Sequence, residues 1–151
     1  MDLTEASAVI TGGASGIGEA SARKLSALGA RCVIVDLQDD KGEAVAKELG
    51  GLYVKADVAN EEQVQAAMDA AMEMGPLRAL VNGAGIGSAS RTVDRNGEPM
   101  PLAQFEFVIR VNLIGTFNCT RLGAATMAKT EPIDDDGQRG AIVNMASVAA
   151  F

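Results

Sequence analysis

Residues 11–18 read Thr-Gly-Gly-Ala-Ser-Gly-Ile-Gly and follow the apolar run Ala8-Val9-Ile10. Glycines at this spacing suit a turn from a strand into a helix that closes round a phosphate. Gly12 permits a tight turn that a side chain would block. Gly16 lets the backbone approach a pyrophosphate, and Gly18 lets the helix pack close on the strand. The helix start offers free N–H groups and a partial positive charge to anionic oxygens, with Ser15 and Ile17 in the same turn. The next apolar run, Val33-Ile34-Val35, ends at Asp36, 18 residues beyond Gly18. A carboxylate there accepts hydrogen bonds from the hydroxyls of an adenosine ribose and repels a 2′-phosphate. The glycine turn has no Arg or Lys to offset that repulsion, so NAD is expected over NADP, with Leu37 beside Asp36 at the same site. Two plainer readings stay open: a purely structural glycine turn, and a loop carboxylate that caps the following helix.

The elements that must position these residues follow from the pattern of the chain. Strands are expected at 7–11, 31–36, 51–56, 78–82 and 141–146, and helices at 16–28, 39–49, 61–73 and 102–128. The third helix is the clearest. Asn60 can cap it, and Val64, Ala67, Met68, Ala71 and Met72 form one apolar stripe whose methionines fill core. Alternating strands and helices imply right-handed crossovers. The fold class is therefore α/β, a Rossmann-like doubly wound parallel sheet with helices on both faces. The strands are short and apolar throughout, as suits a sheet covered on both sides. Two loops, 87–101 and 130–140, are longer than the crossovers need. The Asp134-Asp135-Asp136 run in the second matches no calcium loop and reads as solvated, so no metal site is expected.

With 151 residues the chain is one domain by length. It is 48% apolar, and its 17 glycines suit many tight strand–helix turns. Thirteen basic against 20 acidic residues give a net charge of −7 without a basic cluster, which argues against nucleic-acid or anionic-membrane partners. The first residues lack a basic region and a long apolar run, so no signal peptide is expected, and no stretch reaches the roughly 20 apolar residues of a membrane span. Cys32 and Cys119 lack metal-motif spacing and read as buried free thiols in a reducing cytosol, which makes a cytoplasmic location the expectation. The absence of histidine removes the commonest general base.

Two further residues stand out by type and place. Asn112 is polar in the middle of an otherwise apolar helix, where its amide competes for backbone hydrogen bonds. It is either a functional bridge or a buried structural amide. Ser147 lies just beyond the fifth strand's C-terminal end, where open α/β sheets place ligands, unless it is a plain turn serine.

The spacing T-G-x-x-x-G-x-G resembles the short-chain dehydrogenase/reductase family. Asp57-Val58, Asn82-Gly83-Ala84-Gly85, Asn112 in Val-Asn-Leu-Ile-Gly-Thr-Phe, and Ser147 after Ile-Val-Asn-Met-Ala extend the resemblance in order and separation over the whole chain. Gly83 departs from the second Asn of the family's Asn-Asn-Ala-Gly segment. The resemblance implies adenine contacts for Asp57 (carboxylate) and Val58 (backbone), although Asp57 also suits a simple turn before the third helix. It implies a strand-tying Asn82, and cofactor space at Gly83, Ala84 and Gly85. It also implies a water held at Asn112 that links the catalytic lysine to solvent, and a Ser147 hydroxyl bonded to the substrate oxygen. The family's Tyr-x-x-x-Lys pair has no counterpart here, since Tyr53 lies in the third strand and reads as structural.

The chain is therefore expected to be the C-terminally incomplete NAD-binding domain, residues 1–151, of a longer enzyme, and inactive by itself. The other reading is a nucleotide-binding module without hydride chemistry. Val111–Phe117, Glu131-Pro132 with Gly137-Gln138-Arg139-Gly140, and Ala146–Phe151 resemble the type II 3-hydroxyacyl-CoA dehydrogenase subgroup. That resemblance implies hydride transfer between NAD and a secondary alcohol or ketone, best matched by a 3-hydroxyacyl-CoA, with steroids and other small secondary alcohols as alternatives. A homotetramer follows from the same resemblance.

Overall fold

The computed structural model describes residues 1–87 and 90–147; the tail 148–151 lies outside the described residues. Five strands form one parallel sheet: β1 (Ser7–Thr11), β2 (Arg31–Asp36), β3 (Leu52–Lys55), β4 (Leu77–Asn82) and β5 (Ala141–Asn144). Their order is β3-β2-β1-β4-β5. The chain builds outward from β1 to β3, then returns to the other side of β1. That reversal places a topological switch point between β1 and β4, with a crevice at their carboxyl ends.

Helices α1 (Gly16–Ala27) and α2 (Asp39–Leu49) cover one face, and α3 (Glu61–Met74) and α5 (Thr116–Ala128) the other. Strand residues serve the two faces alternately, as a pleated backbone requires. Ala8, Ile10, Cys32, Ile34, Ala79 and Val81 pack with Ala22 and Val45. Val9, Val33, Val35, Leu77 and Leu80 pack with Met68, Ala71, Cys119 and Leu122. The doubly wound sheet expected from the sequence is therefore present.

Several expectations need correction. Only β1, β2 and β4 are buried along most of their length; β3 and β5 are edge strands with exposed residues. An apolar run shows strand potential but does not distinguish a central strand from an edge. β3 and β5 are also shorter than expected, because pairing ends at Lys55 and Asn144. Asn60 caps α3 as expected, accepting from the Gln63 N–H at 3.0 Å. Met72, however, is exposed, and Met74 packs on the core instead. Met74 is the last residue of α3, directly before the turn into β4.

The expected helix 102–128 is not uniform. It comprises α4 (Leu102–Ile109), a π-helical segment (Arg110–Gly115) and α5. A π segment holds an extra residue in the turn and re-aims the side chains on either side of it. Asn112 lies within it, a poor interior helix former at the place where the helix widens.

Candidate functional site

A cleft of about 580 Å³ opens at the carboxyl ends of the strands. That volume suits a small-molecule ligand. Its lining includes Gly12, Ser15, Gly16, Ile17, Gly18, Asp36, Leu37, Asp57, Val58, Gly83, Ala84 and Gly85. Every residue singled out from the sequence for a nucleotide is thus brought to one cleft, except Asn82, which sits behind it.

The glycine turn is shaped as its spacing demands. Gly12 and Gly16 adopt φ +65° and +57°, a left-handed conformation costly for a side chain. A Cβ at Gly12 would lie 2.7 Å from the Gly83 carbonyl, and one at Gly18 would lie 2.1 Å from the Gly12 oxygen. Gly16 faces open space instead, with nothing within 4 Å of its would-be Cβ. The first and last glycines therefore bring chain segments together, while the middle one leaves the backbone bare toward the cleft. A cradle of this kind, at the start of α1, fits a pyrophosphate. Ile17 and Leu37 are 66% and 60% exposed at its sides and offer apolar surface to ligand rings.

Asp36 ends β2 with both carboxylate oxygens already engaged. Oδ2 accepts from the Ala14 N–H at 3.1 Å, and Oδ1 from Leu37 and Gln38 N–H at 2.8 and 3.1 Å. The carboxylate thus ties the glycine turn to the entry of α2. It does not cap α2, whose N-cap is Gln38 without a side-chain cap bond, and about one of its four lone-pair sites, on Oδ2, is left for a ribose hydroxyl.

Asp57 has a similar double position. Its Oδ1 accepts from the Ala59 N–H at 2.9 Å, closing the turn into α3, and its Oδ2 lies 3.6 Å from the Arg110 guanidinium. Val58 is buried against Gly115, and its carbonyl accepts from Asn118 Nδ2 at 2.8 Å.

The segment after β4 is latched to β1. The Thr11 hydroxyl accepts from both Gly83 and Ala84 N–H at 3.2 Å. Asn82 ties strands together as expected, its Nδ2 donating to Asn144 Oδ1 at 2.7 Å and Thr120 Oγ1 at 3.0 Å. Its Oδ1 is buried without a partner among the described residues. Such an acceptor costs about 1–3 kcal/mol.

Asn112 is exposed, not the buried amide that was one of its two readings. Its amide bonds both backbone groups of Ile86, which lines the cleft. Ser147 lies exposed beyond the end of β5, outside the residues lining the cleft.

Tyr53 is structural. Its hydroxyl bonds Asp39 Oδ1 at 2.9 Å and the Asp36 carbonyl at 3.0 Å. Burial, then the Asp39 carboxylate, pushes its pKa above the ordinary phenol value, the opposite of what a proton-accepting phenol needs. Hydrogen bonds from Lys55 and Tyr53 hold Asp39 below the usual carboxylate range. In the acidic loop, Asp134 Oδ1 accepts from the Gln138 N–H at 2.9 Å and closes the turn.

Thr11, Asn118, Arg110 and Phe107 are among the residues at or behind the cleft that sequence reading missed. Thr11 could have been found as a hydroxyl at a strand end directly before Gly12. Asn118 could have been found as a second amide in the apolar helix, six residues after Asn112. Arg110 and Phe107 line the cleft and carried no local signal.

The short chain dehydrogenase family model matches residues 6–151. Human 3-hydroxyacyl-CoA dehydrogenase type-2 is 49% identical over 148 residues, covering 95% of this chain and 56% of that protein. The Drosophila melanogaster protein of the same name is 45% identical over 153 residues, covering 99% of this chain and 60% of its own length. A crystal structure of 3-hydroxyacyl-CoA dehydrogenase type-2 from Mycobacterium avium matches with a TM-score of 0.91 at 44% identity, over 96% of this chain and 57% of that one. The chain spans little more than half the length of these relatives. A cleft built by a glycine turn at the switch point of a parallel sheet, and a family match running from Ala6 through the last residue, lead to one conclusion: this chain belongs to the short-chain dehydrogenase family.

Proposed function

We propose that the protein is an NAD-dependent oxidoreductase that moves a hydride between NAD and a secondary alcohol or ketone, with 3-hydroxyacyl-CoA and 3-ketoacyl-CoA as the substrate pair. The observation that carries this reading is the cleft itself: the bare Gly16 backbone at the start of α1 faces the same space as Asp36 at the end of β2. The relatives named 3-hydroxyacyl-CoA dehydrogenase type-2 support the substrate class.

NAD, when bound, supplies the hydride acceptor. The chain's own residues bind and orient it. Gly12, Ser15, Gly16, Ile17 and Gly18 hold the pyrophosphate, and Asp36 with Leu37 holds the adenosine ribose and disfavours a 2′-phosphate. Asp57 and Val58 meet the adenine. Gly83, Ala84 and Gly85 form the floor under the second ribose, and Asn82 ties the strands behind it. Ser147 holds the substrate oxygen, and Asn112 steadies the loop at Ile86 and serves the proton path. We place the enzyme in the cytoplasm as a homotetramer built from single-domain subunits, with small-molecule partners and neither nucleic acid nor membrane. The two buried free cysteines are consistent with that compartment.

The test is turnover by the full-length protein that contains this chain. A 3-hydroxyacyl-CoA with NAD should give reduced nicotinamide at a rate far above that with NADP. Equal use of the two cofactors would refute the Asp36 assignment, and no turnover with any secondary alcohol would refute the oxidoreductase reading.

A further inference from the structure

The turn Asp57-Val58 is held by one helix at several points. Gly115 meets the Val58 side chain so closely that a Cβ there would lie 2.4 Å from Val58 Cγ2. One turn later, buried Asn118 donates from Nδ2 to the Val58 carbonyl at 2.8 Å. Its Oδ1 accepts from Arg121 Nη2 at 2.8 Å, and Arg121 also pairs with Glu61 of α3 at 2.8 Å. Both ends of the Asn118 amide are therefore occupied, which leaves its orientation no freedom. The chain of contacts Glu61–Arg121–Asn118–Val58 links the first turn of α3 to the wall of the cleft.

We infer that Asn118 is a positioning residue for the cofactor's adenosine end: it acts through the Val58 carbonyl and does not touch the ligand. The inference rests on the nucleotide reading of the cleft. Val58 lines the cleft beside Asp57, at the place the nucleotide reading gives to the adenine. A backbone fixed before the ligand arrives does not have to be ordered on binding. Asn118 supplies that order from behind, from a buried position that no ligand reaches. Arg121 keeps the amide turned with its donor toward Val58. Without Arg121 the amide could flip and place its oxygen against the carbonyl.

The experiment measures AMP and NAD binding to the full-length protein by calorimetry, together with thermal unfolding without ligand. Asn118→Asp removes the donor to Val58 and keeps an acceptor for Arg121. Its Kd for AMP and for NAD should rise by the same factor, about three- to tenfold, the span of one neutral hydrogen bond. Arg121→Gln, at a half-exposed site, should shift both in the same direction by a smaller factor, so the proposal stays testable if the Asp variant does not fold. A lowered unfolding temperature with AMP affinity unchanged in both variants would overturn the positioning role and leave Asn118 purely structural. Wild-type protein that binds neither AMP nor NAD would overturn the nucleotide reading and this inference with it. Normal wild-type binding with unaltered variants would overturn only the inference.

Discussion

The Asn112 side chain reproduces a strand's hydrogen bonding to Ile86: Oδ1 accepts from the Ile86 N–H at 2.9 Å, and Nδ2 donates to the Ile86 carbonyl at 2.8 Å. One amide thereby fastens the π-helical segment to the loop that leaves β4 through Gly83, Ala84 and Gly85. The widened turn matters because it holds Asn112 at the place from which both backbone atoms of Ile86 are reached. Asn112→Ala should lower stability by about 1–2 kcal/mol, the worth of two neutral hydrogen bonds. Asn112→Asp, which keeps only the acceptor, should recover less than half of that. Urea unfolding of the full-length protein measures both, and wild-type stability in the alanine variant would remove the clamp from the account.

Asp36 combines three backbone bonds with the ribose contact proposed for it, and its substitution should separate the two. Asp36→Ala with Leu37→Arg should reverse much of the preference for NAD over NADP, read as the ratio of kcat/KM values. The same change strips the acceptor from the Ala14, Leu37 and Gln38 N–H groups, so stability should fall by about 1–2 kcal/mol, the worth of one or two such bonds. A reversed preference at unchanged stability would mean that the three backbone bonds contribute little.

The glycines of the first turn should respond differently to the same added methyl group. Gly18→Ala forces the methyl into the Gly12 carbonyl, and overpacking of that kind costs about 1–3 kcal/mol. Gly16→Ala meets nothing within 4 Å and carries only the left-handed φ, about 1–2 kcal/mol. The Gly16 variant should fold yet bind NAD more weakly, because its methyl would occupy the space proposed for the pyrophosphate. Full NAD affinity in folded Gly16→Ala would show that the ligand does not approach there.

Both thiols are held protonated in the folded chain. Burial pushes Cys32 up to about 11, and burial together with the Asp57 charge pushes Cys119 up to about 12. A raised thiol pKa means that the folded state keeps its proton while the unfolded chain loses it. Stability from this source is complete below pH 9.0, the ordinary thiol value, and is lost as pH climbs toward 11 and 12. Urea midpoints should therefore fall with pH above that value, and a thiol reagent at neutral pH should label neither cysteine until the protein unfolds. Rapid labelling of native protein would contradict the burial of both.

Ser147 has its proposed role in the transition state. In the full-length protein Ser147→Ala should lower kcat and kcat/KM together, by about two to three orders of magnitude, the scale of one lost oxyanion donor. NAD dissociation should hardly change. Near-normal kcat with lost NAD binding would move Ser147 from the substrate to the cofactor loop.

The local features of this chain were determined by its sequence alone. Short apolar runs place each strand within a few residues, a helical apolar stripe places α3, and Asn60 marks its start. The spacing of Gly12, Gly16 and Gly18 specifies a tight turn, a bare stretch of backbone and a close helix–strand approach. Those signals lie between residues near one another in the chain, so they can be read in order. Tertiary structure decided what depends on residues far apart. It set β1 between β2 and β4, turned Met72 outward and Met74 inward, and widened the helix at Asn112. It also brought Arg110 to Asp57 and Asn118 to Val58. No local period encodes such pairs, because each exists only once helices have packed on the sheet and carried side chains 26 to 60 positions apart into contact.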